Sequence, residues 1–196
     1  MALLSRSERQ ASILRNAAQA FARQGFAGTS MDDVAAACGV TKLILYRHFD
    51  TKEDLYRAVL QRVFERLGQE LAEGLGRGAG RGLGMRTLLT VAREDEAGFT
   101  LLWRHASREP QFADYAEELR EAAAAATAEL MGLGTGDPAL DRWAALSTIG
   151  WLVDAVFVWL EVGDPARDEE VIDRAAVGLR GLRDAWVPEI ERAAPA

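Results

Sequence analysis

Two histidines and one cysteine leave this chain little material for catalysis. His48 and His105 lie far apart, no metal-ligand spacing is present, and no nucleophile has a base at a workable distance in sequence. Neither a catalytic residue, a metal nor a cofactor is expected. The residue types favour hydrogen bonding and apolar contact with a nucleic acid instead. Within residues 41–49, Leu45 and Phe49 share one helical face with Thr41 beside them, while Lys42, Leu43, Tyr46 and Arg47 project to the sides and away. Cations mixed with an aromatic and an aliphatic group suit a major groove. There Lys or Arg donates to guanine, an apolar group meets the thymine methyl, and Tyr reaches phosphate. By spacing alone, the same helix also fits the surface of an ordinary bundle.

Such a helix needs others to hold it, and its neighbours in sequence supply them. Ser30 is an N-cap, followed by Asp32 and Asp33 in the first turn, where the helix dipole favours anions. Met31, Val34, Ala35 and Cys38 recur at steps of three and four, one apolar face of a short helix. Gly39 stands where a helix ends in a left-handed residue, and Val40 plugs the corner. Thr41 caps the next helix, expected to run to about His48. Asp50 or Thr51 caps a third, with Glu53 and Asp54 in its first turn. Upstream, Ser7 to Gln24 is predicted helical, with Ile13, Leu14, Ala17, Ala20 and Phe21 inward and Gly25 ending it. Helix, short turn with glycine, helix is a helix-turn-helix.

Three pieces of this stretch carry a family resemblance: Gly39-Val40-Thr41-Lys42, then Leu45-Tyr46-Arg47-His48-Phe49, then Thr51-Lys52-Glu53-Asp54-Leu55. They resemble the signature of the tetracycline-repressor (TetR) family. Phe21-Ala22-Arg23-Gln24-Gly25-Phe26 with Thr29-Ser30 is similar to that family's junction between its first two helices. The resemblance covers roughly residues 6 to 60. It implies base contacts from Lys42, Leu43, Ile44, Tyr46 and His48, and phosphate contacts from Thr29 or Ser30 and from Lys52. Thr41 and Arg47 complete the expected DNA-binding set. The resemblance also implies a dimer formed through the last two long helices, and a connecting helix that relays ligand binding to the DNA-reading pair. Positions 43 and 44 usually hold small residues in that family. Leu43 and Ile44 here either touch thymine methyls or pack in part on protein.

Charge is divided along the chain. Residues 1–66 carry ten cations against seven anions, net +3, and the remainder is −10, giving the overall −7. One cysteine excludes an intrachain disulfide framework and fits a reducing cytoplasm. Residues 1–10 hold no apolar stretch long enough for a signal peptide. Ala144 to Gly163 has one charge, Asp154, in mid-segment, where insertion into a bilayer costs about 2.5–3.5 kcal/mol. Trp151 and Trp159 also lie inside that segment rather than at its flanks, so a buried helix is expected and no membrane partner.

The connecting helix is predicted from about residue 51 to 73, with Leu55, Val59, Leu60, Val63 and Leu67 as its stripe. Residues 74–84, GLGRGAGRGLG, lack a phosphate-cradle ending and read as a flexible linker. Helices are predicted at about 85–94, 96–107 and 110–131, with Pro110 at a first helical position. The helix at about 139–162 is apolar nearly all round and must be covered on every side. The last helix opens with the Asp164-Pro165 cap. Leu146, Ile149, Val153, Val156 and Leu160, with Leu179, Leu182 and Trp186, are the expected interface of a two-fold dimer. Phe99, Trp103, Phe112, Tyr115, Trp143 and Trp151 either fill a core or line a ligand cavity, with His105 and Asp154 as polar groups. Asp154 fits equally an interface pairing with Arg180 or plain solvation.

The expected fold is all-α with about nine helices. A helix-turn-helix DNA-binding domain at 1–52 leads through the connecting helix into a ligand-binding and dimerisation domain at 74–196. The expected function is a cytoplasmic, homodimeric regulator that binds a palindromic operator. A small apolar or aromatic effector is expected to release it from repression. A helical small-molecule enzyme and a ligand-independent DNA-binding protein are the alternatives.

Overall fold

The computed structural model describes residues 6–78 and 80–186; the first five residues of the stretch read as free of a signal peptide lie outside the described residues. Among the described residues the chain forms nine α-helices and no strand. They are α1 (Arg6–Gly28), α2 (Met31–Cys38), α3 (Lys42–Tyr46), α4 (Lys52–Gly76), α5 (Leu83–Glu94), α6 (Glu96–Thr100), α7 (Ala113–Met131), α8 (Pro138–Val162) and α9 (Asp168–Trp186). A π-helical turn (Leu101–His105) and a 3-10 turn (Ala106–Arg108) follow α6, and a second 3-10 turn (Pro165–Arg167) precedes α9.

Packing groups these helices into two compact units, Met1–Glu70 with Thr90–Glu118, and Leu71–Leu89 with Leu119–Ala196. Helices α4, α5 and α7 each begin in one unit and end in the other. Contacts thus place residues 90–118 with the N-terminal helices, whereas composition keeps everything after residue 74 together.

In the first unit the buried faces follow the helical period. Ile13, Leu14, Ala17, Ala18 and Phe21 of α1, Met31, Val34 and Ala35 of α2, Leu45 of α3, and Leu55, Val59 and Leu60 of α4 are all buried, with α1 packed on α2 and α2 on α3. Gly25 (φ 73°, ψ 167°) breaks α1, so the final residues to Gly28 turn off the axis. That break seats Phe26 in an aromatic cluster. Tyr56 stacks on Phe112 at 4.4 Å and meets the edges of Phe21 and Phe26 at 5.1 and 5.2 Å. Such pairs add about 0.5–1.5 kcal/mol each beyond the area they bury. Pro110 does not open α7. A turn closed by the Phe112 N–H to the Glu109 carbonyl at 2.9 Å intervenes, and α7 begins at Ala113 once Phe112 is seated against Tyr56.

The second unit revises the reading of the glycine-rich stretch as a linker. Residues 74–76 belong to α4 and 83–84 to α5, so the connection is only 77–82. At Gly82 (φ 71°) the backbone runs against α9, and a Cβ there would stand 2.7 Å from Ile172 Cγ2. Glycine is required there for contact as well as for conformation. Asp137 caps α8, its carboxylate accepting from the Ala139 and Leu140 N–H groups, with Pro138 at the first position. The Asp164-Pro165 pair starts a 3-10 turn rather than α9 itself. Arg86 and Glu169 form a two-bond pair at 2.5 and 2.6 Å that ties α5 to α9.

Gly39 offers a local test of this architecture. It takes φ 63°, ψ 31°, and no atom lies within 4 Å of an added Cβ. Gly39→Ala is therefore expected to lose about 1–2 kcal/mol through backbone strain alone. Gly39→Asn should lose less. Thermal unfolding followed by circular dichroism reads the difference, and equal melting temperatures for all three proteins would refute it.

Candidate nucleic-acid interface

The interface is built from α2, the turn after it and α3. Ser30 and Asp33 form a capping box: the Ser30 Oγ accepts from the Asp33 N–H at 3.2 Å, and the Asp33 carboxylate accepts from the Ser30 N–H at 2.8 Å. These bonds hold the Asp33 carboxyl below its usual range. Helix α2 then ends in a Schellman turn. The Gly39 N–H donates to the Ala36 carbonyl and the Val40 N–H to the Ala35 carbonyl, both at 3.1 Å. Thr41 is the backbone cap of α3, though its hydroxyl makes no capping bond. The chain stays turned through His48, whose N–H reaches the Leu45 carbonyl at 2.9 Å.

The side chains divide as their spacing predicts. Leu45 and Phe49 are buried, fixing the helix to the core. Thr41, Lys42, Leu43, Tyr46 and Arg47 are exposed, and Ile44 and His48 are half-buried. Leu43 is 64% exposed and Tyr46 45%, so most of the side chain at position 43 is open to solvent. The Lys42 ammonium donates to Asp32 of α2 at 2.7 Å, which raises its pKa. Sequence reasoning saw Asp32 only as a dipole-favoured residue, because a pairing ten residues apart across a turn has no short-range pattern.

Thr29 and Lys52 depart from the phosphate role that the resemblance implies. Thr29 is 1% exposed, and its hydroxyl donates to the Gly25 carbonyl at 2.7 Å. The Lys52 ammonium donates to the carbonyls of Phe26 and Thr29, both at 2.9 Å, and lies 4.2 Å over the Phe26 ring. The break at Gly25 leaves carbonyls at the end of α1 without helical partners, and these two side chains take them up. Ser30 remains exposed, with its hydroxyl donating to Asp33 at 2.6 Å. Thr51, rather than Asp50, caps α4: its Oγ1 accepts from the Asp54 N–H at 3.0 Å. Cys38 is half-buried, and burial pushes its thiol up to about 11, so it stays neutral at ordinary pH.

The residues expected at a ligand site or a dimer interface fall in both units. In the first unit Phe99 and Phe112 are fully buried, Trp103, His105 and Tyr115 are half-buried, and the Tyr115 hydroxyl donates to Gln61 at 2.5 Å. Phe112 belongs to the aromatic cluster around Tyr56. Trp103 Nε1 is buried without a hydrogen-bond partner. In the second unit Trp143, Trp151 and Asp154 stand exposed on α8. Ile149, Val153 and Val156 face inward and are buried within their own chain, correcting their assignment to an intersubunit stripe. Leu146, Leu160, Leu179, Leu182 and Trp186 are half-buried. A helix apolar all round has two apolar faces, and periodicity does not say which one its own chain covers.

Residues 13–59 match the model of the family described as bacterial regulatory proteins, tetR family. Over 176 residues, 87% of this chain and 80% of the relative, the chain is 28% identical to the HTH-type transcriptional activator FasR of Mycolicibacterium smegmatis. Residues 13–59 are a tetR-family N-terminal domain. These matches make the chain a DNA-binding transcriptional regulator and not an enzyme. A shorter match, 40% identical over 45 residues, covers 23% of this chain and 24% of the IcaR regulator of Staphylococcus epidermidis, described as a negative regulator of the biofilm operon icaADBC. Among solved structures, a TetR-like transcriptional regulator from Rhodococcus sp. RHA1 superposes with a TM-score of 0.62 at 26% identity, covering 94% of each chain.

Two substitutions separate the roles in this candidate interface. Asp32→Asn frees the Lys42 ammonium and removes a carboxylate from beside the phosphates. It is expected to tighten binding to matched and scrambled duplexes alike and to steepen the salt dependence. Lys52→Ala is expected to lower the melting temperature, because it removes charged donors from the Phe26 and Thr29 carbonyls, of which the Phe26 carbonyl keeps the Thr29 N–H at 3.3 Å. Fluorescence anisotropy across a salt series, with thermal unfolding alongside, reads both; an unchanged melting temperature would return Lys52 to the phosphates.

Proposed function

We propose that this regulator works as a homodimer that represses by occupying a palindromic operator and leaves it when a small apolar or aromatic molecule binds. In this reading residues 1–52 bind DNA, the helix at about 51–73 connects, and 74–196 supply ligand binding and dimerisation. The cytoplasm is its place of action, in keeping with one free thiol.

The observation that carries the dimer is the outward face of α8. Trp143, Trp151, Val158 and Val162 stand exposed along it, with Val177 exposed and Gly178 open on α9. By length and composition α8 also passes for a membrane span, but its other face, including Ala145, Ile149, Leu152, Val156 and Phe157, is buried in its own unit. A second copy covers the remaining face about a two-fold axis. In the dimer the two α3 helices enter successive major grooves, so half-sites lie about one helical turn apart or modestly further.

Support for a ligand comes from Trp103, an unpartnered buried donor beside Phe99 on a π-helical turn, a backbone form frequent at functional sites. Phe99, Trp103, His105 and Tyr115 are the proposed lining. Coupling of about 1–3 kcal/mol per site changes operator affinity roughly 5–150-fold. Activation is the second reading, favoured because the relative matched over 80% of its length is described as an activator.

Trp151→Glu and Val158→Glu are each expected to give a folded monomer with weakened operator binding, since an unpaired charge is costly in an apolar interface. Val156→Glu is instead expected to unfold the second unit. Sedimentation and circular dichroism together distinguish these outcomes, and a wild type that is monomeric at micromolar concentration would remove the dimer. A reporter driven by a selected operator decides between repression and activation.

A further inference from the structure

Within the first packed unit, two large apolar side chains are left exposed among the described residues, Leu43 and Tyr46. Both stand on α3. Three residues apart on a helix, they are surface neighbours and form one small apolar patch. Exposed Thr41, Lys42 and Arg47 flank it, so its rim is hydrophilic and basic. The nearest cation in sequence, Lys42, has its ammonium drawn to Asp32 at 2.7 Å, away from a free approach to a base edge. A scattered exposed leucine needs no explanation, but this patch lies on the helix that enters DNA.

The major groove offers one apolar substituent for such a patch, the C5-methyl of thymine; cytosine carries only a hydrogen at that position. We propose that Leu43, backed by Tyr46, is a specificity-determining residue that reads thymine methyl groups in each operator half-site. The occupant of the patch is therefore B-form DNA with thymine at the facing position, and the selectivity is apolar as much as hydrogen-bonded. The proposal rests on the reading of α3 as the base-contacting helix. Its energetic scale is that of one buried methyl group, about fourfold in affinity per thymine, or about 0.8 kcal/mol. Because Leu43 is mostly exposed and is not one of the buried core residues, its truncation is expected to leave the fold of the unit intact.

The test begins with selection of bound duplexes from random DNA by the full chain. In the selected site each thymine is then replaced singly by deoxyuridine, which removes the methyl and keeps every hydrogen-bonding group. Wild type is expected to lose about three- to fivefold affinity at one or two positions per half-site. Leu43→Ala is expected to bind the parent site more weakly and to show no deoxyuridine penalty at those positions, while Leu43→Met keeps most of it. Indifference of the wild type to every replacement would overturn the proposal, as would an unchanged penalty in Leu43→Ala. Loss of the dimer in Leu43→Ala by sedimentation would also overturn it, assigning the patch to a second copy of the chain. Failure to select any sequence would remove the base-reading role of α3 itself, a result distinct from selection without methyl dependence.

Discussion

The DNA-reading end of this protein depends on how the end of α1 is closed. Gly25 breaks the helix, and the turn that follows carries carbonyl groups with no helical N–H to receive. Lys52, at the start of α4, reaches back twenty-six residues to the Phe26 carbonyl and also takes that of Thr29, and Thr29 itself bonds to Gly25. One ammonium thereby fixes three things at once: the junction between α1 and α2, the ring of Phe26 beneath it, and the first turn of α4. The positions of α2 and α3 follow, because α2 is capped immediately after that junction by Ser30.

The second unit answers to a different constraint. Helix α8 has apolar side chains around its whole circumference, and a single chain of this size covers only part of it. The inward half is filled by α8's own buried residues against neighbours such as Gly84, whose open α-carbon faces Leu152. The outward half carries indoles and valines, with Trp151 resting 3.8 Å from where a side chain on Gly178 would begin. Acidic residues dominate the sequence beyond residue 66, which keeps this part of the molecule from competing for phosphate.

Much of the first unit was legible because its signals are local. Caps, a left-handed glycine and apolar residues at steps of three and four act within a few residues, and Ser30, Gly39 and Leu45 each take the place their neighbours dictate. What sequence did not carry was pairing over distance. Asp32 with Lys42, and Lys52 with Phe26, depend on the fold already being formed. The same limit explains Val156, whose position on an all-apolar helix gave no sign of which side its own chain would cover. The glycine-rich stretch misled for a related reason: a glycine reads as flexible until the atom that presses on it is known, here Ile172 against Gly82.

Helix α4 carries one more consequence of its contacts. Arg62 is held by Asp95 at 2.6 Å, Arg66 by Glu94 at 2.8 Å, and Tyr56 lies under the ring of Phe112. These three anchors are spread over about three turns and all engage the segment from Glu94 to Phe112. A rod gripped by a key at several points along its length cannot spin in its seat without shearing the keys. Over this stretch axial rotation of α4 would break all three contacts together, whereas tilting with the gripping segment keeps them. Within the first unit these contacts oppose torque about the α4 axis more than they oppose leverage.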